Sequence, residues 1–259
     1  MMIVTTAGRT SNEMIQLAKK IATELKVTYV ERQKKSIKLL QEETNSDCII
    51  IGKERFEWHP IHSEEPIFFH PNSAAFRAKR ITRGETEPFL QATQLTNSMT
   101  FLDCTLGLAS DSIIASIVTG EVGKVVGIES NYFLSFLVKT GLQQWDTGIE
   151  ELNKAMRRIT VVNHEHTSFL ESLPSNSFDV VYFDPMFESE ITESRGISPL
   201  KKIATYSNLN DSILEEAVRV ARKRVVLKDH WKSDKFEKYG FTVQKRKTAK
   251  FHYGVLEKK

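Results

Sequence analysis

Cysteine is nearly absent: Cys48 and Cys104 are the only two in 259 residues, and neither belongs to a CxxC pair or a Cys/His ligand cluster. That argues against a disulfide-stapled scaffold and a structural zinc site, and it predicts a reducing compartment. Long apolar runs are missing too, with no stretch reaching the roughly 18 residues of a membrane span. The opening MMIVTTAGRTSNEM lacks a basic segment followed by an apolar one, so a secretory leader is not expected and the cytoplasm is the expected location. Glycine is sparse, 12 residues in all, and nowhere forms the GxGxxG of a dinucleotide-binding turn.

What is present describes an ordinary soluble protein with an uneven charge pattern. Hydrophobic residues at 40% suffice for a proper core, and the length fits one large domain or a domain with a smaller partner. The net charge of +3 names no partner by itself. Its distribution says more. Residues 219–250 hold twelve Lys or Arg against three acids, a local net of +9. Upstream, PNSAAFRAKRITRG (71–84) carries Arg77, Lys79, Arg80 and Arg83 with no acid. Two basic blocks on a nearly neutral chain predict an electropositive face of the kind that polyanions find, although runs of charge also serve simply to solvate a surface.

Three regions follow from the pattern. Residues 1–70 read as a small α/β domain, with strands at MIVTTA, KVTYV, DCIIIG and PIFFH and helices at SNEMIQLAKKIATEL and ERQKKSIKLLQEET. Residues 71–98 read as a basic connection, punctuated by Gly and Pro, that ends in a helix near 87–95. From 99 to 259 strands alternate with helices: MTFLDCT, KVVGIE, ITVVN, DVVYFD and KRVVLK are strands, and SDSIIASIVTG, NYFLSFLVKTGLQQW and LNDSILEEAVRVA are helices. FTVQKR and KFHYGVLE close the chain as antiparallel strands. This rhythm predicts a doubly wound, mostly parallel α/β sheet.

Within that frame FLDCTLGLASDS places Asp103 at a strand end, Gly107 in the turn, and Ser110 and Asp111 at a helix start. Glu129 and Ser130 end the next strand, where an acid accepts hydrogen bonds from a ribose. A pyrophosphate would meet Asp111 at the helix start and be repelled, whereas an ammonium or sulfonium group would be welcome. The turn therefore favours a nucleoside with a cationic tail, as in S-adenosylmethionine. VVYFDPMF (180–187) then brings a strand to Asp184, Pro185 and Phe187. The Asp184 carboxylate and a carbonyl near Pro185 suit the N–H groups of a planar amine, proline fixes the backbone, and Phe187 offers a stacking face. A strand ending in an Asp-Pro turn is the plain structural alternative. His164 and His166, two apart at a strand end, read as loop residues, and no metal is expected.

DPMF resembles the DPPY/NPPF-type motif of amino-directed class I methyltransferases. More narrowly, it is similar to the DPMF of the bacterial family that methylates guanine N2 in small-subunit ribosomal RNA. The segments AFRAKRITRG, DCTLGLASDS, VGIES, DVVYFDPMF and KRVVLK fall in that family's order, over roughly residues 70–256. The resemblance implies a Rossmann-like fold binding S-adenosylmethionine and an RNA substrate, with Ser110, Asp111, Glu129 and Ser130 as cofactor contacts. It also implies adenine-side contacts at His166 and Thr167. Arg77, Lys79, Arg80, Arg83 and Lys228 would then hold RNA phosphates. The chain departs from that family at Ala109, where a second glycine is usual, and after DPMF, where Glu188, Ser189 and Glu190 replace Pro and basic residues. A methyltransferase acting on a small-molecule or protein amine, and a non-catalytic RNA- or partner-binding module, are the alternatives.

Overall fold

The structure, a computed structural model, describes residues 1–185 and 209–258. It divides into two compact units, Met1–His70 and the rest of the described chain. The N-terminal unit is a four-stranded sheet in the order β2-β1-β3-β4, made of β1 (Met2–Thr6), β2 (Thr28–Tyr29), β3 (Asp47–Ile51) and β4 (Phe56–His59). Its strands run parallel except for β4 against β3. Helix α1 (Asn12–Glu24) starts at Ser11, whose hydroxyl accepts from the Met14 amide, and α2 (Ile37–Thr44) starts the same way at Ser36. The second helix begins later than its pattern predicts, since Gln33 and Lys34 sit at positive φ. PIFFH is not a strand: Ile67 makes one isolated bridge to Trp58, and the strand is the preceding FEWH.

The second unit opens with α3 (Asn72–Thr82) and α4 (Pro88–Thr93). The expected basic connection is therefore largely a helix. Its alanines favour that state, and Pro71 and Gly84 mark its two ends rather than a loop. The remaining elements are β5 (Thr100–Asp103), α5 (Ser110–Thr119), β6 (Lys124–Glu129), α6 (Tyr132–Gln144), α7 (Glu150–Arg157), β7 (Thr160–Asn163), α8 (His166–Ser172) and β8 (Phe178–Phe183). After the undescribed residues come α9 (Asp211–Val220), β9 (Ala221–His230), α10 (Lys235–Lys238), β10 (Thr242–Gln244) and β11 (Phe251–Glu257). Helix α7 carries acids in its first turn and bases in its last, a dipole-matched pattern that the reading of strands and turns passed over.

The sheet runs β10-β11-β9-β8-β5-β6-β7. The five central and right-hand strands are parallel, and β11 and β10 are antiparallel, as the closing pattern predicted. Leu102, Val126, Val181, Val225 and Leu227 lie in one buried cluster with Ile213 and Ala217 of α9. Because β5 has β6 on one side and β8 on the other, chain order reverses there. Ligands of open α/β sheets bind at such a switch point, beyond the carboxyl ends of the strands.

Candidate active site

Three adjacent strands deliver an acid to that edge: Glu129 at the end of β6, Asp103 at the end of β5, and Asp184 just past β8. The turn between β5 and α5 is folded around them. Leu106 N–H donates to Ile128 O at 3.0 Å, and the Gly107 N–H donates to the Glu129 carboxylate, which also receives Asn131 N–H at 2.8 Å. Burial still holds Glu129 above the usual carboxylate range. Thr105 Oγ1 accepts the Asp184 N–H at 2.6 Å, so one turn touches both neighbouring strand ends.

Two backbone positions make this close approach possible. Gly107 has φ +48° and Ala109 φ +62°, both left-handed, so the place where the resembled family carries glycine is one that favours it. At Gly127 in β6 an added Cβ would lie 2.3 Å from Leu106 Cδ1. Gly127→Ala is therefore expected to lift the turn away from Glu129. The expected cost is about 1–3 kcal/mol in denaturant unfolding, with weaker cofactor binding by calorimetry.

The inner carboxylates lie where the spacing placed them, at a strand end and a helix start, and both are held by protein partners. Asp103 is 2% exposed, with Oδ2 accepting from the Ser112 hydroxyl at 2.7 Å and Oδ1 from Thr105 N–H at 3.0 Å. Burial pushes its carboxyl up to about 7. Asp111 is likewise buried. Its Oδ1 accepts from Arg77 Nη1 at 2.6 Å, and its Oδ2 accepts from the Tyr182 hydroxyl at 2.8 Å and Lys228 Nζ at 3.3 Å. Burial alone would raise Asp111, but Lys228 and Arg77 overcome it and hold the group well below the usual range. Both carboxylates, Asp103 and the expected cofactor contact Asp111, are thus engaged by groups of the protein itself. Ser110 is tied into the same cluster, its hydroxyl 3.4 Å from Arg77 Nη1.

The expectation for Arg77 and Lys228 needs correction. Arg77 is clamped between Asp111 and Glu87, the latter at 2.8 Å, while Lys228 donates to Asp184 Oδ2 at 2.5 Å. Burial opposes both charges, yet their carboxylate partners raise both groups above their ordinary values. Neither is a surface cation available to phosphate. Lys79 and Arg83 are exposed, and Arg80 pairs with Glu85 at 2.7 Å.

Asp184 itself is pulled two ways. Burial and the neighbouring Asp111 raise its carboxyl while Lys228 lowers it, and the balance lies upward, at about 6. Its side chain keeps a quarter of its surface open, which leaves it reachable. His166 is buried at the start of α8, its ring edge-on to Phe183 at 6.0 Å, and burial lowers its pKa. Thr167 beside it donates its N–H to Glu165 at 2.8 Å, and Ser130 is exposed past Glu129. Phe187 lies outside the described residues, as do Glu188, Ser189 and Glu190. Among the described residues no group of three His, Cys, Asp or Glu is placed to hold a metal ion. The two thiols are buried, which raises Cys48 to about 11 and pushes Cys104 well above its ordinary value, so neither is a nucleophile at neutral pH.

A seven-stranded sheet of this order, with acids rather than phosphate-binding glycines at its switch point, defines a class I methyltransferase. The sequence matches the family described as "Putative SAM-dependent methyltransferase" over residues 30–253, and the chain belongs to that family. It is 53% identical over 255 residues to "Uncharacterized protein YpiP" of Bacillus subtilis, covering 98% of this chain and 99% of that one. It is 27% identical over 237 residues to ribosomal RNA small subunit methyltransferase J of Actinobacillus succinogenes, covering 83% of this chain and 88% of that one. A solved SAM-dependent methyltransferase from Neisseria gonorrhoeae shares the fold, with a TM-score of 0.65 at 15% identity over 99% of this chain and 96% of that one.

The protein is thus an S-adenosylmethionine-dependent methyltransferase. The site fits that cofactor. Glu129 supplies an acceptor at a strand end, and Gly107 leaves the turn without a side chain where the nearest atom to an added Cβ is 3.9 Å away. The acids at the edge suit a cationic ligand and not a pyrophosphate.

Proposed function

We propose that this protein methylates an exocyclic amino group of an RNA base, with guanine N2 of small-subunit ribosomal RNA as the first target to test and the cytoplasm as its place of work. The observation that carries this reading is Asp184. It is a partly open carboxylate between a strand end and a proline, oriented by Lys228 and next to the turn that reaches Glu129.

S-adenosylmethionine supplies an electrophilic methyl group on a sulfonium. The chain's task is alignment. Asp184 accepts an N–H of the amine, which turns its lone pair out of conjugation and toward the methyl. As nitrogen bonds the methyl carbon, the carbon–sulfur bond breaks and its electron pair leaves with sulfur as a neutral thioether; the carboxylate stabilises the charge now on nitrogen, and the surplus proton leaves nitrogen for Asp184 or water. Glu129 would hold the ribose hydroxyls. Its replacement by Ala is expected to weaken S-adenosylmethionine binding roughly 10- to 100-fold, as loss of hydrogen bonds to a charged acceptor does; calorimetry measures it. A base inside a helix has to be flipped out to reach Asp184.

The RNA reading draws support from the relatives named as ribosomal RNA methyltransferases and from the exposed cations of α3. No helix among the described residues is long and apolar enough to cross a membrane. The direct test is transfer of labelled methyl to small-subunit ribosomal RNA from cells lacking the protein, followed by nucleoside analysis. Label in N2-methylguanosine is expected. Label absent from RNA but present on small-molecule or protein amines would contradict the reading.

A further inference from the structure

Two large aromatic side chains face solvent on the segments that converge on Asp111. Phe76 is 65% exposed and adjoins Arg77 on α3; Trp231 is 49% exposed and follows the end of β9, three residues after Lys228. Arg77 and Lys228 bond the two oxygens of the same Asp111 carboxylate, so each ring stands one to three residues along the chain from a cation of the Asp184 cluster. Single exposed apolar residues are common and mean little alone. What distinguishes these two is their company.

On α3, Phe76, Lys79, Arg80 and Arg83 recur at i, i+3, i+4 and i+7, one outward stripe, while Ala74 is buried on the opposite side. Glu85 pairs with Arg80, which leaves Lys79 and Arg83 as the cations beside the ring. At the other segment, Lys232 Nζ stands 4.9 Å from the Trp231 ring centre and the His230 ring is 5.9 Å away. The Trp231 backbone N–H donates to Lys250 O at 3.1 Å, which ties this segment to the β10–β11 turn carrying Lys245, Arg246, Lys247 and Lys250. Of the acids in this segment, Asp229 is buried and engaged by Ser233 and Lys235, while Asp234 and Glu237 are exposed but outnumbered by the cations around them.

A ring ready to stack, with cations spaced around it, matches unpaired nucleotides: bases have π-faces and their linkages carry the charge. We infer that Phe76 and Trp231 are base-stacking residues of the RNA site, flanking the target base, while Lys79, Arg83, Lys232 and the 245–247 run hold the neighbouring phosphates. The inference rests on the reading of RNA as substrate and supplies what Arg77 and Lys228 do not.

The test is filter binding of small-subunit ribosomal RNA from cells lacking the protein, over a salt series. Phe76→Ala and Trp231→Ala are each expected to weaken binding about ten-fold without changing the salt slope, and Phe76→Tyr and Trp231→Phe to retain it. Lys79→Gln with Arg83→Gln should instead flatten the slope of log K against log salt by about 1.4. S-adenosylmethionine affinity by calorimetry is expected to stay unchanged in all of them. If an alanine variant misfolds, Phe76→Leu and Trp231→Leu, which keep bulk without a ring, decide. Unchanged RNA affinity in the ring-less variants, beside a wild type that binds and methylates RNA, overturns this inference and leaves the RNA reading standing. A wild type that neither binds nor methylates RNA overturns both. Ring-dependent binding to phosphatidylglycerol vesicles, with no ring dependence for RNA, overturns it in favour of a membrane surface.

Discussion

Asp184→Ala is expected to lower kcat by about 10²–10³-fold, the size of losing one preorganised group that meets transition-state charge. Binding of S-adenosylmethionine should change little, because no cofactor contact is assigned to this carboxylate. The protein should also remain folded. Among the described residues the cluster joins two cations, Arg77 and Lys228, with three carboxylates, Glu87, Asp111 and Asp184. Removing Asp184 leaves two against two, and Lys228 keeps Asp111. In the wild type the ionised carboxylate is the one that accepts the amine N–H. Burial raises Asp184 to about 6, so kcat/KM is expected to climb as pH rises through that value and to level above it. An activity that falls over this range would argue that the protonated acid is the working form.

Lys228→Met is expected to do the opposite damage. It leaves one cation against three carboxylates, with Asp111 and Asp184 losing the ammonium that both oxygens share. Breaking one partner of a buried pair costs about 3–5 kcal/mol, since the remaining charge stays uncompensated. For a chain of this size that corresponds to a fall in Tm of roughly 10 °C. Asp184 should then titrate higher still, because Lys228 is the group that lowers it. Lys228→Arg, which keeps the charge, should recover most of the stability. Scanning calorimetry of the three proteins measures both effects, and a Met variant as stable as wild type would mean that the cluster is not the fold's electrostatic keystone.

The contrast between these variants shows which parts of the site can be read along the chain. Glu129 and Asp184 end strands, and Gly107 lies in a strand-to-helix turn. Each is marked by its immediate neighbours, so sequence pattern places it correctly at the carboxyl edge. The caps at Ser11, Asn131 and Asn210 are equally local. Arg77 and Lys228 are different. A basic residue inside a basic run reads as a surface cation unless its partners are known, and these partners lie 34 and 44 positions away. The partners of Asp111 are hidden for the same reason: Arg77, Tyr182 and Lys228 engage it, none of them near in sequence. Helix α3 was hidden because Pro71 and Gly84 mark helix ends and loops alike. The 66–70 run is apolar like a strand, yet its pairing stops at a single bridge.

The most direct measurement is a crystal structure with S-adenosylhomocysteine bound. One crevice should hold it, with the ribose on Glu129, the turn at Gly107 against the amino-acid tail, and the sulfur turned toward Asp184. A ligand seated on another face of the sheet, or one whose sulfur points away from Asp184, would contradict the proposal that a single strand edge both grips the cofactor and steers the incoming nitrogen.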